Sequence, residues 1–387
     1  MKVLMIPFFL DNPNLKNESN FLADQYVALK KRDAEVTVVF PDVYSVKHLK
    51  EYLNYKNTSG EIYGTSAYRD RAFAPLKHKI RGCETEFVKA CERIINRQVP
   101  GGFDFDIIHA HNCIWGGSAA RALGEKYDVP YVITEHSSQF GLVRHELTPE
   151  IEKHIKENYS GAAHVMCVSA GLKRDMADMF AEPEILGNIV RTDKYLPGRM
   201  SESGTYNFIS VAYINSGTRA RLKGIDILCR AMKILLDRGV DAKLRIIGIA
   251  EGTSEVDEMV SDSGCEEAIE IIKPLTRAGI CDYMHQSHCF ALPSIYETFG
   301  LVYAEAMAAG LPVISTDVGI AGDIVTPETG IIIRERTPEA LADAMEQMTM
   351  KRDIMAPEKM HAMIEGKYSE EKIAGRLLEI YAKATGK

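Results

Sequence analysis

Apolar segments of strand length alternate with amphipathic segments of helix length along this chain. In the first half the strand-like runs are KVLMIPFF, EVTVVFP, FDIIHAH, PYVITEH and HVMCVSA. The alternation restarts at about Asn207 with YNFISVAYI, AKLRIIGI, CFALPS and PVIST. Most of these runs are apolar on both faces, which is typical of parallel strands covered by helices on both sides. The sequence therefore predicts doubly wound, Rossmann-like α/β sheets.

The domain boundaries follow from composition and length. At 387 residues the chain is long enough for two domains with separate cores. The segment 195–207 is rich in Gly, Pro and Ser and is the predicted linker. We expect a first domain over 1–195 and a second over 196–365, followed by an amphipathic terminal helix. The stretch 68–82 is basic with interleaved aromatics, and we predict a loop or helical excursion there.

The net charge and the spacing of the cysteines limit the classes of protein to which this chain can belong. The net charge of -8 gives no positive field to hold nucleic acid, so a general nucleic-acid binder is excluded. The cysteines are scattered without C-x-x-C spacing, which favours buried free thiols in a reducing cytosol. The apolar run Val3–Leu10 is too short for a membrane span and lacks a cleavage site. We predict a cytoplasmic protein and leave attachment to a membrane surface open.

The most informative segment is FALPSIYETFGLVYAEAMAAGLPVISTDVG, residues 290–319. A strand is predicted to end at Pro293, and a helix to begin near Phe299 or Gly300 and run to Ala309. Ligands of such sheets bind beyond the carboxyl ends of the strands, and a helix start offers free N–H groups to an anion. The amides expected to form this anion pocket are those of Thr298, Gly300 and Leu301.

Two glutamates accompany this pocket. Glu305 is the only charge in a helix that is otherwise apolar or small, so it must be paired or hydrogen-bonded. A structural ion pair and hydrogen bonds from ligand hydroxyls explain it equally well. Glu297 falls in a loop predicted to be exposed, where a glutamate would by itself be an ordinary solvated charge.

The motif E-T-F-G-L-x-x-x-E-A-M-A-x-G-x-P-V-I resembles the donor-site signature of retaining glycosyltransferase family 4. The resemblance implies the GT-B fold, in which two Rossmann-like domains face each other across a cleft and the last helix, here 366–387, returns to the first domain. It also implies that Glu297 contacts the hydroxyls of the transferred sugar and Glu305 those of the ribose. The amides of Phe299, Gly300 and Leu301 would hold the sugar and the diphosphate.

The diphosphate requires positive charge, and the sequence has neither a D-x-D motif nor a clustered set of His or Cys ligands. The predicted loop YINSGTRARLKGID supplies Arg219, Arg221 and Lys223, although a solvated basic loop would look the same. The family pattern G-R-L-x-x-x-K-G matches at Lys223, but Tyr213 stands where its arginine would be. Our hypothesis is that Arg219 or Arg221 replaces it.

Histidines end two predicted strands of the first domain. The run FDIIHAH ends with His109 and His111, and His136 follows YVITE. The resemblance to D-x-x-H-x-H and T-x-H implies that His136 lies near the transferred sugar and His111 on the sugar or acceptor side. We interpret His109 as structural.

Three further segments depart from the family pattern. Asn188 matches the segment P-N-G-V-D-x-x-x-F, but Arg191 replaces its aspartate. Ile320 and Asp323 replace the second glycine and the glutamate of G-G-x-x-E. In the altered N-terminal loop Asn20 could bind hydroxyls, and a plain solvated loop is an equal alternative.

The resemblance implies a retaining, metal-independent, hexosyl-type glycosyltransferase that needs no cofactor. Its partners would be a nucleotide-sugar donor and a glycan or lipid-linked acceptor, in cell-surface polysaccharide synthesis. The basic stretch 68–82 could contact an anionic membrane on the inner face, but a solvated loop is the favoured alternative, since a short basic loop is weak evidence. The alternatives are a nucleotide-sugar epimerase of the same fold and a non-catalytic sugar-nucleotide-binding subunit. An NAD-dependent dehydrogenase does not fit, because no G-x-G-x-x-G follows the first strand.

Overall fold

The chain divides into two compact units, each built on its own sheet. The first comprises Met1–Ile189 with Glu370–Lys387, and the second Val190–Ser369. The sequence places these divisions at 195/196 and 365/366. A computed structural model describes residues 1–8, 21–62, 65–74, 80–198, 204–250, 253–351 and 354–387.

The first unit contains an eight-stranded sheet in the order β3-β4-β2-β1-β5-β6-β7-β8. All neighbours are parallel except β3 and β4. The residues of β5 and β6 are buried throughout, as expected of a sheet covered on both faces. The strands are β1 Lys2–Ile6, β2 Glu35–Tyr44, β3 Gly60–Ile62, β4 Thr65–Phe73, β5 Ile107–His111, β6 Tyr131–Glu135, β7 His164–Cys167 and β8 Glu184–Ile185.

The helices of the first unit include the end of the chain. Tyr381 on the terminal helix is fully buried, and its hydroxyl lies 2.6 Å from Nδ1 of His109 on β5. The terminal helix is therefore part of the core of this unit. The helices are α1 Phe21–Lys30, α2 Leu49–Leu53, α3 Ile80–Gln98, α4 Ser118–Tyr127, α5 Pro149–Ser160, α6 Ala170–Asp175 and α15 Glu370–Thr385.

The loop or helical excursion predicted over 68–82 is wrong for 68–73, which belong to β4 and pair with β2. Arg69 on β4 is buried because its guanidinium binds the Asp42 carboxylate on β2, with Nη2–Oδ1 at 2.5 Å. Asp70 pairs with Arg93 on α3 at 2.9 Å. Arg69 and Asp70 make this strand resemble a polar loop in the sequence. In the structure their charges are neutralised by partners distant in sequence. Residues 75–79 lie outside the described part of the chain.

The second unit contains a fully parallel six-stranded sheet in the order β11-β10-β9-β12-β13-β14. Its strands are β9 Tyr206–Ile214, β10 Ala242–Ile249, β11 Ile269–Ile272, β12 Cys289–Leu292, β13 Val313–Ser315 and β14 Gly330–Ile332. Its helices are α7 Gly217–Lys223, α8 Ile225–Asp237, α9 Ser254–Ser261, α10 Arg277–His285, α11 Leu301–Ala308, α12 Ala321–Ile324, α13 Pro338–Met350 and α14 Pro357–Tyr368. The two parallel sheets confirm the predicted fold class.

The basic segment after β9 is a short helix rather than the predicted loop. The Ser216 side chain caps α7 by accepting a hydrogen bond from the Arg219 amide at 3.3 Å. The residues TRARLK contain good helix formers, and Gly224 ends the helix in the left-handed conformation at φ 78°. The three basic side chains of the segment therefore project from a helix.

Within the described residues, no helix combines the length and the apolar character needed to cross a bilayer. The cysteines whose side chains the structure describes are free thiols. Cys265 is half-buried, and the buried ones are Cys91, Cys113, Cys167, Cys229, Cys281 and Cys289.

The buried ion pair of β4 predicts a stability effect. Asp42→Asn leaves the Arg69 guanidinium buried without its counter-charge, so the free energy of unfolding should fall by about 2 kcal/mol. Glu86→Gln breaks the exposed pair with Lys89 on α3 and should change it by less than about 0.5 kcal/mol. Urea denaturation of both variants measures the difference. Equal small losses would contradict the placement of β4 in the core.

Candidate functional site

The segment between β12 and α11, here called the site loop (residues 293–300), ends in a glycine with an unusual backbone. Gly300 has φ +85° and caps α11, which begins at Leu301. A Cβ at this position would lie 2.6 Å from Cδ2 of Tyr303, so only glycine fits. The amides of Gly300 and Leu301 lie at the positive end of α11, where a helix offers N–H groups without an intrahelical acceptor. These amides belong to the set that the sequence analysis assigned to an anion pocket.

Buried contacts on both sides hold the site loop in place. Phe299 is 3% exposed and packs edge-on against Tyr368, with ring centroids 5.3 Å apart. Its carbonyl accepts a hydrogen bond from the Ile320 amide at 2.8 Å. Thr316 Oγ1 donates to the Ser294 carbonyl at 2.6 Å. Thr298, between these anchors, is half-buried.

Glu297 of the site loop forms an ion pair with Lys223 at the end of α7. Lys223 Nζ lies 2.5 Å from Glu297 Oε1, and Ser294 Oγ donates to the same oxygen at 2.8 Å. The Glu297 side chain is only 11% exposed, so the prediction of an exposed loop charge is wrong. The two residues meet because they follow β9 and β12, which are neighbouring parallel strands. A cation and an anion are thus held beside the amides of α11.

Arg336 locks α7 against the site loop, and the sequence analysis did not identify it. Its Nε donates to the Pro293 carbonyl and its Nη2 to the Arg221 carbonyl, both at 2.7 Å. The Ile295 amide also bonds to the Leu222 carbonyl at 2.8 Å. A Cβ on Gly224 would lie 2.4 Å from the Pro293 carbonyl oxygen, which explains the glycine after Lys223. No local sequence signal marks Arg336, because its role depends on two distant carbonyls.

The two arginines of α7 differ in their contacts. Arg219 Nε donates at 2.7 Å to the carbonyl of Tyr213, the residue that stands where the family pattern has an arginine. Arg221 is exposed and contributes its carbonyl to Arg336. The geometry brings Arg219, and not Arg221, to the end of β9.

Glu305 on α11 is 6% exposed and accepts a hydrogen bond from the hydroxyl of Tyr195. Burial, and next the Glu305 charge, raise the pKa of Tyr195, while the charge of Arg277 acts in the opposite direction. The sequence analysis missed Tyr195 and Arg277. Tyr195 occupies the aromatic position of the segment P-N-G-V-D-x-x-x-F, where a phenylalanine would lack this hydroxyl.

In the first unit the structure brings His111 and His136 into direct contact. His111 Nδ1 lies 3.0 Å from His136 Nε2, and both side chains are buried. Burial lowers the pKa of His111 to about 3 and holds the pKa of His136 well below its usual range. Stability from keeping the rings neutral is complete above the pKa of an unfolded histidine, about 6.5, and is lost as the pH falls below it.

His109 behaves as the structural residue we expected. Its Nδ1 lies 2.6 Å from the Tyr381 hydroxyl and its Nε2 lies 2.7 Å from Thr134 Oγ1. Both ring nitrogens are therefore used inside the core.

The remaining candidates are less well connected. Asn188 is buried near the end of the first unit. Arg191 holds Asp193 in a two-point ion pair, with Nε–Oδ1 and Nη2–Oδ2 both at 2.7 Å. Asp323 is exposed. Asn20 lies outside the described residues.

A search of the described residues finds no group of three His, Cys, Asp or Glu side chains arranged to hold a metal ion. Lys223 and Arg336 place positive charge against the site loop, on Glu297 and on the Pro293 carbonyl, and Arg219 lies at the Tyr213 carbonyl.

Comparison with known families decides the identity. The model of the glycosyl transferases group 1 matches residues 211–370, and the model of glycosyltransferase family 4 matches residues 19–194. This chain belongs to glycosyltransferase family 4. A D-inositol 3-phosphate glycosyltransferase of Corynebacterium aurimucosum is 27% identical over 270 residues, and the match spans 63% of this chain and 63% of that protein.

Solved structures show that this family 4 glycosyltransferase has the GT-B fold. Sucrose-phosphate synthase of Thermosynechococcus elongatus matches with a TM-score of 0.77 at 16% identity, covering 99% of each chain. Anabaena HepE, solved in complex with UDP and glucose, matches with a TM-score of 0.69 at 14% identity, covering 98% of each chain. The sequence resemblance to the family is thereby confirmed.

The backbone of the site loop predicts a binding effect in this glycosyltransferase. Gly300→Ala places a Cβ against the Tyr303 ring at positive φ, so the first-turn amides of α11 must shift. We expect calorimetry to show at least about tenfold weaker binding of a nucleoside diphosphate, equivalent to 1.4 kcal/mol.

The matched control is Gly366→Ala on α14, where a Cβ meets nothing within 4 Å. It should leave binding unchanged and favour the helix by up to about 1 kcal/mol. Unchanged binding of the nucleoside diphosphate to the Gly300→Ala variant would show that the first-turn amides of α11 do not contribute to the site.

Proposed function

We propose that this enzyme transfers a hexose from a nucleotide-diphosphate sugar to a glycan or lipid-linked acceptor, with retention of anomeric configuration. The observation that carries the proposal is the Lys223–Glu297 ion pair beside the amides of α11. The cation suits the diphosphate, and the carboxylate suits the hydroxyls of the transferred sugar. HepE, which shares the fold, binds UDP and glucose, and this supports a donor of the same class.

The leaving diphosphate gains negative charge as the sugar–phosphate bond breaks. Lys223, the amides at Gly300 and Leu301, and Arg219 can stabilise that charge in the transition state. The bond from Arg219 to the Tyr213 carbonyl supports Arg219 as the replacement for the missing family arginine. We propose a reaction that needs no metal, in which these groups supply the positive charge that the diphosphate requires. The departing phosphate takes the proton of the acceptor hydroxyl, so no protein base is assigned.

Glu305 and the histidines complete the proposed assignment. Glu305 accepts hydrogen bonds from the ribose while Tyr195 holds its carboxylate. His136 and His111 bind hydroxyls on the sugar or acceptor side, with Asn188 and Asn20 as further candidates on that side.

The proposed acceptor rests on the family resemblance and on the names of the relatives. We propose a cytoplasmic enzyme of cell-surface polysaccharide synthesis acting at the inner face of the membrane. The relatives named D-inositol 3-phosphate glycosyltransferase favour a second candidate, a small polyol phosphate.

An exposed apolar surface at 46–53, beyond the carboxyl end of β2, supports the proposed membrane contact. Val46, Leu49 and Leu53 are 58%, 43% and 65% exposed and recur at helical spacing. Lys47 and Lys50 lie among them. Apolar side chains flanked by lysines suit an anionic bilayer. We therefore propose that this apolar stripe (residues 46–53) makes the peripheral membrane contact, and not the stretch 68–82. In that stretch the Arg69 guanidinium is already paired with the Asp42 carboxylate.

The central variant is Glu297→Gln, which keeps the size of the side chain and removes its charge. We expect turnover with the cognate donor and acceptor to fall on the order of a hundredfold, because the carboxylate no longer stabilises the sugar. Glu270→Gln, which breaks the exposed pair with Arg245 in the same unit, is the matched control and should retain turnover. Wild-type turnover by Glu297→Gln would contradict the proposed role of the Glu297 carboxylate in the reaction.

Product analysis by NMR should show the anomeric configuration of the donor retained, and inversion would contradict this part of the proposal. The same assay with donor alone separates transfer from the epimerase alternative, which would change the sugar without an acceptor. Tight donor binding with no transfer to any acceptor would favour the non-catalytic subunit.

Liposome flotation tests the apolar stripe. Wild-type protein should float with vesicles containing anionic lipid, and Leu49→Glu with Leu53→Glu should abolish this by placing negative charge on the stripe. Ile185→Glu, at another exposed apolar position of the same unit, is the control and should float normally. Flotation unaffected by the double variant would contradict the assignment, as would the absence of wild-type flotation.

A further inference from the structure

Lys223 occupies the last position of α7, a helix of only seven residues. An isolated helix of this length is not stable in water, so its place depends on contacts with the rest of the unit. The Arg221 carbonyl accepts a hydrogen bond from Arg336 Nη2 at 2.7 Å. The Leu222 carbonyl accepts a hydrogen bond from the Ile295 amide at 2.8 Å. These two bonds from outside the helix therefore set the position of Lys223.

The guanidinium of Arg336 joins α7 to the site loop. Its Nε donates to the Pro293 carbonyl at 2.7 Å, the same distance as its Nη2 bond to Arg221. A guanidinium is planar and rigid, so it fixes the separation of two acceptors that it binds at once. Lys223 lies two residues after one acceptor, and Glu297 lies four residues after the other. The two bonds of Arg336 thereby set how Lys223 faces Glu297, whose Oε1 lies 2.5 Å from Lys223 Nζ.

The backbone around Arg336 is anchored on both sides. Before it, the Ile333 amide donates to the Ser315 carbonyl on β13 at 2.8 Å. After it, the Thr337 side chain caps α13 by accepting a hydrogen bond from the Ala340 amide at 3.2 Å. Arg336 therefore reaches the site loop from a fixed turn, and its contacts do not require a ligand.

A carboxylate near Arg336 is left with an unused oxygen. Oδ1 of Asp226, in the first turn of α8, is buried and has no hydrogen-bond partner among the described residues. Arg336 is close to this turn, because a Cβ on Gly224 would lie 3.1 Å from its Nη2. Burial lowers the pKa of Arg336, and the Asp226 charge acts in the opposite direction. A guanidinium binds a carboxylate through two parallel charge-assisted hydrogen bonds, so Asp226 is a competing partner for Arg336.

We propose that Arg336 is a positioning residue that holds Lys223 opposite Glu297, and that Asp226 competes for its guanidinium. While Arg336 bonds to the two carbonyls, α7 stays against the site loop. When those bonds open, Arg336 turns to Asp226, and the end of α7 is released together with Lys223. The placement of Lys223 follows from the geometry, and its consequence for a diphosphate rests on the proposed function.

Competitive labelling with acetic anhydride, read for each lysine by mass spectrometry, tests the placement without any substrate. The Lys223 side chain is 19% exposed and bonded to Glu297, so its amine should react slowly. Arg336→Gln should raise its labelling rate at least about threefold, and Asp226→Asn, which removes the competing charge, should lower it. Lys233 on α8 is the internal reference and should not change. An unchanged rate in Arg336→Gln would overturn the positioning role, and an unchanged rate in Asp226→Asn would overturn the competition.

Arg336→Lys separates the shape of the guanidinium from its charge. A lysine keeps the cation but has no planar fork to bind two carbonyls at once, so Lys223 should react as fast as in Arg336→Gln. Arg334→Gln, at an exposed position two residues earlier, is the matched control and should behave as the wild type. If Lys223 reacts at the wild-type rate in Arg336→Lys, the proposal fails.

Calorimetry with UDP, GDP, ADP and CDP tests the consequence for the site. The site loop is also anchored at Ser294 and Phe299, so Arg336 acts mainly on α7. Arg336→Gln should weaken binding of a diphosphate at least about threefold, but added to Lys223→Ala it should weaken binding no further. Additive losses would show that Arg336 acts on the ligand without Lys223 and would overturn the positioning role. If no diphosphate binds the wild type, the proposed function fails, while the labelling still decides whether Arg336 positions Lys223.

Discussion

The contact between Lys223 and Glu297 depends on one topological fact, the parallel pairing of β9 with β12. Chain segments that leave neighbouring parallel strands emerge at the same edge of the sheet. One segment carries the lysine and the other the glutamate, and their side chains meet at 2.5 Å with little exposure to water. Each member of the pair compensates the charge of the other. A phosphate would draw the lysine and a sugar hydroxyl the carboxylate.

The backbone around this pair is fixed before any ligand arrives. Arg336 donates hydrogen bonds to the Pro293 carbonyl just after β12 and to the Arg221 carbonyl near the end of α7. The buried Phe299 holds the site loop in place. Gly300 and Gly224 stand where a side chain would strike Tyr303 or the Pro293 carbonyl. Electrostatic catalysis requires donors that need no rearrangement as charge develops. The packing of the second unit supplies this rigidity, which connects the fold to the proposed chemistry.

Much of the architecture could be predicted because buried parallel strands have a strong apolar signal. β1, β5, β6, β9 and β12 appear in the sequence as such runs, and the anion pocket follows from the strand–loop–helix order after Pro293. β4 could not be predicted, because Arg69 and Asp70 imitate a polar loop and their partners lie far along the chain. The burial of Glu297 was missed for the same reason, since it depends on Lys223. The role of the Tyr195 hydroxyl could not be predicted from the sequence, because it depends on the hydrogen bond to Glu305 that the fold creates.

The central claim is that amides, a lysine and an arginine bind the diphosphate of a nucleotide-sugar donor. The most direct measurement is calorimetric titration of UDP, GDP, ADP and CDP into the enzyme in excess EDTA, with Lys223→Ala as the comparison. The account predicts that one diphosphate binds without metal and that Lys223→Ala weakens it by at least about tenfold. If no diphosphate binds, or if the affinity does not depend on Lys223, the account is contradicted.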